Sequence, residues 1–220
     1  MAAESLADAD LGIELVTEAL RLPQFDAEAA RAPMLPETRQ LQPLVRCDAS
    51  EAAVLLLLWP QGGSLHFVLT RRASDLRGHG GQISLPGGRC DPGDSDHSAT
   101  ALRETEEELG VPASDVQVLG PLDKIYIPPS NYLVYPLVAA LPAPPRFRPR
   151  ASEVAEVLQI PLTFLLDPRR KRESLQHRNG RSLRIPWYAL GGQMVWGATA
   201  MLLSEFEGRL RAVSQRQTCQ

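Results

Sequence analysis

The chain has 220 residues, of which 44% are hydrophobic and 22% charged, and its formal net charge is -3 at pH 7. This composition is typical of a globular domain with a sizeable core and excludes a disordered or fibrous protein. The slightly acidic balance gives no general reason to expect a nucleic-acid partner, so any basic binding site must be local.

Cysteine usage and the N-terminal charge predict a cytoplasmic protein. Cys47, Cys90 and Cys219 are widely spaced and form no CxxC pair, so their spacing predicts neither a disulfide framework nor a zinc site. The acidic N-terminus has the wrong charge for a leader peptide. The longest apolar run, residues 52–59, is far shorter than the ~20 residues of a membrane span, so no membrane partner is expected.

The first third of the chain predicts a helix, a hairpin and a long loop. Residues 4–22 carry apolar side chains at helical spacing, and an irregular lead-in follows to residue 48. The apolar run 52–59 and the segment 65–72 predict a buried strand and its hairpin partner. Residues 72–96 contain six glycines and two prolines, which predicts a loop, and so long a loop in a compact domain is usually functional.

The rest of the chain predicts an acidic helix and then mostly strands. The helix should begin near residues 94–96, whose carboxylates can cap it, and end at Gly110. The proline-broken segment 143–150 predicts an exposed loop, and Asn179-Gly180 predicts a hairpin turn. Strand-like segments lie at 116–120, 124–127, 132–141 and 153–162, a short helical turn at 163–167 and a closing amphipathic helix at 196–210. These elements predict one mixed α/β domain over 49–212, with the lead-in 1–48 packed on it and a tail at 213–220.

Four glutamates crowd the end of the acidic helix in the stretch RETEEELGV, residues 103–111. Like charges three or four positions apart cost a helix roughly 0.2 to 0.5 kcal/mol per pair, and Glu104, Glu107 and Glu108 share one face. A divalent cation would offset that repulsion, because Mg²⁺ prefers oxygen ligands and keeps waters that a phosphate substrate can replace. An acidic run at a helix end is nevertheless more often a solvated face, so charge alone does not decide its function.

The spacing of these residues resembles the Nudix signature. That signature is a glycine, an acid after five residues, and then Arg-Glu-aliphatic-any-Glu-Glu-any-Gly-aliphatic. The matching positions are Gly88, Asp94, Arg103, Glu104, Glu107, Glu108, Gly110 and Val111. Asp94 stands where the signature has glutamate, eight residues rather than seven separate it from Arg103, and Thr105 replaces the aliphatic residue.

The flanks of this segment are similar to the coenzyme A diphosphatase branch of the Nudix hydrolases. Within the signature segment, residues 88–111 and called the box below, the similar stretches are DP (91–92) and ATALRE (99–104). Outside the box they are VLTRRASDLRGHGGQISLPGG (68–88), PPSNYLVYPLVAAL (128–141), EVAEVLQIPLTFLLD (153–167) and WGATAMLL (196–203). The resemblance covers roughly residues 50–205 and implies a Nudix-like α/β/α sandwich with a mixed central sheet. It also implies Mg²⁺- or Mn²⁺-dependent hydrolysis of coenzyme A or its derivatives to 3′,5′-ADP and 4′-phosphopantetheine products.

Two alternatives stay open beside this substrate. A Nudix hydrolase could act on another nucleoside diphosphate derivative, such as ADP-ribose, a dinucleotide or a nucleoside triphosphate. A non-catalytic binding module could keep the fold and use the acidic helix as an interaction surface. The expected partner is a small nucleotide rather than a nucleic acid, and a homodimer is compatible with the sequence.

The resemblance also implies roles for residues of the box. Glu104 and Glu108 are expected as metal ligands, together with the main-chain carbonyl of Gly87. Glu107 is a third ligand, the holder of a metal-bound water, or the general base. Arg103 is expected to orient a glutamate of the cluster rather than to touch substrate.

Two further groups of residues are candidates outside the box. Glu153 and Glu156, in a downstream loop, are alternative general bases, with a plain surface role as the competing interpretation. A local positive cluster precedes the box and suits phosphate recognition, an exposed basic turn being the alternative. Its members are Arg71, Arg72, Arg77 and His79.

Overall fold

The computed structural model describes residues 11–37, 44–74, 80–178 and 181–218. The helices are α1 (Ile13–Leu20), α2 (Ala27–Arg31), α3 (His97–Leu109), α4 (Leu162–Leu166) and α5 (Gly197–Thr218). The strands are β1 (Ser50–Gln61), β2 (Ser64–Arg72), β3 (Ile83–Ser84), β4 (Gly87–Arg89), β5 (Gln117–Pro121), β6 (Ile125–Ile127), β7 (Tyr132–Ala140), β8 (Val154–Pro161), β9 (Lys171–Arg178), β10 (Arg181–Leu190) and β11 (Gln193–Trp196). None of the helices in these ranges is long and apolar enough to cross a membrane.

A mixed sheet forms the centre of the fold, with β1 as its hub. β1 pairs in parallel with β7, from Ser50 opposite Tyr132 to Leu58 opposite Ala140. It pairs antiparallel with β2 and, near its start, with the short strand β4. Within the described ranges, β1 to β8 make up this sheet and β9 to β11 form a second, antiparallel one. Because β4 is held against β1, it fixes the backbone that precedes α3.

Side-chain alternation along β1 covers both faces of the sheet. Leu55 and Leu57 point to one core, which includes Ala101 and Leu109 of α3. Leu56 and Leu58 point to the other core, which includes residues of α1 and α5. Fully burying such a side chain contributes roughly 1.5 to 3 kcal/mol, so both helical layers are held by substantial burial. The predicted α/β/α sandwich with a mixed central sheet is confirmed.

The lead-in docks on the closing helix through a buried ion pair. Nε of Arg31, the last residue of α2, donates to Oε2 of Glu205 in α5 at 2.9 Å. Nε of Arg209 donates to the other carboxylate oxygen, also at 2.9 Å. Two buried arginines therefore share the Glu205 carboxylate, and removing a partner from such a buried group of charges is generally destabilising.

Several predicted bounds differ from the observed ones. Helix α1 begins at Ile13, later than predicted, and residues 1–10 lie outside the described residues. The loop predicted at 72–96 includes the short strands β3 and β4. Helix α5 runs past residue 210 to Thr218, because Val213 is fully buried against the core, so residues 213–218 of the expected tail are helical. The Asn179-Gly180 turn lies outside the described residues, although the flanking β9 and β10 pair as predicted.

Candidate active site

Local capping sets the ends of the acidic helix α3. The carboxylate of Asp96 accepts a hydrogen bond from the Ala99 N–H at 2.8 Å, which caps the first turn. Gly110 ends the helix in the left-handed conformation, with φ of 68°, and its N–H donates to the Glu106 carbonyl at 2.8 Å. The predicted start and end of this helix are confirmed.

The two glycines of β4 let the strand approach the helix closely. A Cβ on Gly87, whose φ is 143°, would clash with the carbonyl oxygen of Ala53 in β1. A Cβ on Gly88 would clash with the carboxylate of Glu104 in α3. The absence of side chains brings the Gly87 N–H to 3.2 Å from Oε2 of Glu108. The expected ligand role of the Gly87 carbonyl stays a prediction.

Burial makes Glu108 the most perturbed carboxylate in this region. Its side chain is only 4% exposed, and its Oε1 lies 3.6 Å from Nη1 of Arg72. Burial raises the pKa of Glu108 to about 7, against the opposing effects of the Gly87 N–H and Arg72. Burial also raises the pKa of Glu104. The negative charges of Glu104 and Glu153 add to the effect on Glu108.

Glu104, Glu107, Glu108 and Glu153 are called the carboxylate cluster below. Glu107 is its most exposed member, and Glu153 comes from the turn before β8. The Glu153 carbonyl accepts a hydrogen bond from the N–H of Ala73, just after β2, at 2.8 Å. This contact ties Glu153 to the end of β2, and its carboxylate lies within electrostatic range of Glu104 and Glu108 on α3.

Arg103 is held between Asp94 and the carboxylate cluster. Its Nε and Nη2 donate to the two Asp94 oxygens at 2.9 and 3.0 Å. Its Nη1 donates to Glu104 at 3.0 Å and to Glu107 at 3.3 Å. This is the contact predicted for Arg103, and its part in catalysis stays a prediction.

Asp94 anchors this arrangement, which the sequence alone did not indicate. Its Oδ2 also accepts hydrogen bonds from the Asp91 N–H at 2.9 Å and the Thr100 hydroxyl at 2.8 Å. The hydrogen bonds from Arg103 come first among the causes that hold the pKa of Asp94 well below its ordinary value. Asp94 therefore binds the arginine as a permanent carboxylate, despite the extra residue in the spacing.

Two of the four predicted phosphate-binding residues, Arg71 and Arg72, lie within the described part of the chain. Arg72 lies beside Glu108, whereas Nη2 of Arg71 lies 2.6 Å from Oε2 of Glu156 on the adjacent strand β8. Glu156 is therefore paired with an arginine across the sheet, and Glu153 is the downstream acid that joins the cluster. Arg77 and His79 lie outside the described residues.

Arg150 is a site residue that sequence reasoning missed. The backbone N–H groups of Arg148 and Arg150 donate to the carbonyls of Leu109 and Glu108, at 2.7 and 2.9 Å. The segment predicted as an exposed loop thus docks on the end of α3. Nη1 of Arg150 lies 3.1 Å from Glu153 and 3.9 Å from Glu107. An arginine among prolines carries no signal of such a contact.

Comparisons with known proteins identify the family of the chain. The family model of the NUDIX domain matches residues 49–196. The chain belongs to the Nudix hydrolase family. Its curated relatives include the Nudix hydrolase NudL of Yersinia pestis (strain Pestoides F) and that of Yersinia pseudotuberculosis (serotype O:1b), both described as uncharacterized. Each is 43% identical over 138 residues, which span 62% of this chain and 68% of the relative.

A solved structure shows the same fold. RenU, a Nudix hydrolase from M. smegmatis, has a TM-score of 0.51 and 20% identity, and the match covers 76% of this chain and 87% of RenU. Nudix hydrolases are diphosphate-hydrolysing enzymes that act on nucleoside diphosphate derivatives and generally use divalent metal ions. The carboxylate cluster of this Nudix hydrolase fits such an ion, because it offers only oxygen donors, the preferred ligands of hard cations. The desolvated Glu104 and Glu108 also have raised pKa values that a nearby cation would lower.

Proposed function

We propose that this Nudix hydrolase cleaves the diphosphate linkage of coenzyme A or its derivatives to 3′,5′-ADP and 4′-phosphopantetheine products. The observation that carries the reaction is the carboxylate cluster packed against the side-chain-free backbone of Gly87 and Gly88. The choice of substrate is supported by the similarity of residues 68–88 to the coenzyme A diphosphatase branch. Identity to NudL supports the family and leaves the substrate open.

Glu104 and Glu108 would hold Mg²⁺ or Mn²⁺, with Glu107 and the Gly87 carbonyl as further candidates. The bound ion supplies neutralisation of phosphate charge and a more acidic water at the site. Arg103, tied down by Asp94, keeps the Glu104 and Glu107 carboxylates oriented toward a common region. Such orientation of acidic groups before substrate arrives lowers the reorganisation needed during reaction.

Phosphate recognition would come from the basic residues of β2 and the segment after it. Arg72 is the member best placed for the diphosphate, because its guanidinium already lies beside Glu108. Arg71 and the predicted contacts Arg77 and His79 would serve the diphosphate or the 3′-phosphate of coenzyme A. Arginine suits this task through its forked donors.

Glu153 is our choice for the general base. Its side chain is 29% exposed and joins the cluster from a separate loop, so water can reach it. Arg150 holds it by an ion pair at 3.1 Å. Glu107 remains the alternative base, and its hydrogen bond from Arg103 favours a ligand or positioning role instead.

A substrate panel tests the proposed function. Coenzyme A, dephospho-coenzyme A, an acyl derivative, ADP-ribose, a dinucleotide and a nucleoside triphosphate would be compared with Mg²⁺ and with Mn²⁺, and products would be identified by chromatography. We expect the highest kcat/KM for coenzyme A or a derivative, and a loss with dephospho-coenzyme A. A preference for ADP-ribose would overturn the substrate assignment, and absence of turnover with every compound would favour a binding module. Light scattering on the same sample tests the homodimer.

A further inference from the structure

A second group of metal-binding side chains lies at the other end of α3. Glu51 comes from β1, Cys90 directly follows β4, and His97 is the first residue of α3. One ligand atom of each, a carboxylate oxygen, the thiol sulfur and an imidazole nitrogen, lies within 4.8 Å of the other two. The proposed hydrolysis uses none of these three residues.

Neighbouring contacts hold the side chains of Glu51 and His97 and the backbone of Cys90 in place. Oε1 of Glu51 accepts the Tyr135 hydroxyl at 3.0 Å, and Oε2 lies 3.1 Å from Nε2 of His97. The Tyr135 ring stacks on the imidazole with centroids 3.5 Å apart and planes 10° apart. The Cys90 N–H donates to the Glu51 carbonyl at 3.0 Å, which extends the pairing of β4 with β1. Ligands held by surrounding groups lose less freedom when a metal binds.

The donor types of this group differ from those of the carboxylate cluster. Sulfur, nitrogen and oxygen donors together suit Zn²⁺, whereas Mg²⁺ prefers oxygen alone. Zinc sites that retain a bound water have three protein ligands and an open fourth position. Glu51 is exposed and the other two are partly exposed, so solvent can supply that water. With bonds of about 2.0 to 2.3 Å, tetrahedral ligand atoms lie roughly 3.3 to 3.8 Å apart, so small side-chain movements suffice.

We propose that Glu51, Cys90 and His97 form a second metal site, which binds a thiophilic divalent cation such as Zn²⁺ with a water as fourth ligand. The ion would join β1, the end of β4 and the start of α3. Both β4 and α3 contribute to the active site, through Gly87 and Gly88 and through the glutamates. His97 and Glu104 are two helical turns apart, about 10 Å, so the two sites can be occupied together.

Binding at this site should stabilise the folded chain. An ion that binds only the native state raises the unfolding temperature in proportion to the logarithm of its concentration above Kd. We expect Zn²⁺ to raise the unfolding temperature of the Glu108→Gln variant as well, because that substitution leaves the second site intact. Mg²⁺ should have no such effect in that variant.

Cobalt provides a direct probe of the site, because a thiolate bound to Co²⁺ gives a charge-transfer band in the near ultraviolet. The chain has three cysteines, so the parent for the test would be the full chain with Cys47→Ser and Cys219→Ser, in which Cys90 is the remaining thiol. We expect a band that saturates at one Co²⁺ per chain and is displaced by Zn²⁺. The band should persist when Glu108→Gln is added.

Variants of the other two ligands distinguish a site formed by all three side chains from metal binding by the Cys90 thiol alone. His97→Gln and Glu51→Gln should each weaken Co²⁺ binding at least tenfold, and Tyr135→Phe severalfold, with circular dichroism confirming that each variant is folded. No saturable band in the parent would overturn the proposal. Equal affinity in the parent and in both ligand variants would also overturn it, because the thiol would then bind Co²⁺ alone. Neither result depends on the substrate of the enzyme.

Discussion

Arg103 and Asp94 form a bidentate ion pair, with Nε to Oδ1 at 2.9 Å and Nη2 to Oδ2 at 3.0 Å. The pair joins the loop before α3 to the middle of the helix. Since the same guanidinium donates to Glu104 and Glu107, the loop carboxylate controls where the helix carboxylates point.

Asp94→Asn should lower kcat about 10- to 100-fold, as loss of contacts that orient metal ligands generally does. KM should change little, because the contacts of Asp94 are with Arg103, Asp91 and Thr100, which are not among the proposed substrate-binding residues. Steady-state kinetics at saturating Mg²⁺ checks this. Asp91→Asn is the matched control, because Asp91 lies 3.8 Å from Arg103 and is mostly exposed. Equal effects of the two substitutions would contradict a special role for Asp94.

Glu108→Gln should lower turnover by more than the roughly 100-fold expected when a residue that only contacts a metal ligand is lost, because Glu108 is itself a predicted metal ligand. Far-ultraviolet circular dichroism should be unchanged. Glu106→Gln, on the exposed side of the same helix, should keep full activity. Unaffected turnover in Glu108→Gln at saturating metal would show that the helix is not the metal site.

The metal-free enzyme should lose stability as pH rises from about 4.5 to 7. Burial raises the pKa of Glu108 from 4.5 to about 7, so the folded chain binds this proton more tightly than the unfolded chain does. The resulting stabilisation is full below the unfolded pKa and is lost as pH rises through the folded one, by at most about 3 kcal/mol. Urea unfolding in a chelator at pH 4.5 and pH 7.5 measures this. Glu108→Gln should flatten the dependence, and Mg²⁺ should restore stability at the higher pH.

Glu153→Gln should lower kcat, because the proposed general base can no longer accept a proton. It should also remove the fall of kcat at low pH, called the acid limb of the pH profile. Metal affinity should be nearly unchanged. Glu156→Gln is the matched control, because Glu156 faces Arg71 on the neighbouring strand. If Glu153→Gln retains the acid limb and Glu107→Gln loses it, Glu107 is the base.

Substitutions of the two glycines of β4 should have different effects, one on the stability of the fold and the other on activity. Gly87→Ala should destabilise the fold by roughly 1 to 3 kcal/mol, because its φ of 143° and the nearby Ala53 carbonyl leave no room for a Cβ. Gly88→Ala should mainly reduce activity, because the atoms in the way are the carboxylate atoms of Glu104, which would have to move away from Arg103. Thermal unfolding and kcat together check this. Gly93→Ala, with open space at its Cβ position, should change neither.

The sequence by itself determined the features that depend on neighbours along the chain. A capping carboxylate and a terminal glycine act within one or two turns, so the ends of α3 followed from local spacing. The apolar run of β1 likewise predicted a buried strand, and the spacing from Arg103 to Val111 indicated the family. Each of these depends on residues less than about ten positions apart.

Tertiary structure decided the contacts between segments that are distant in sequence. Pairing of β4 with β1 brings Glu51, Cys90 and His97 together although no cysteine spacing indicates it. Docking of the 143–150 segment on α3 sets Arg150 between Glu107 and Glu153. These contacts depend on strand register and on backbone hydrogen bonds between elements. Such bonds bring distant side chains together only in the folded chain, so local sequence patterns do not indicate them.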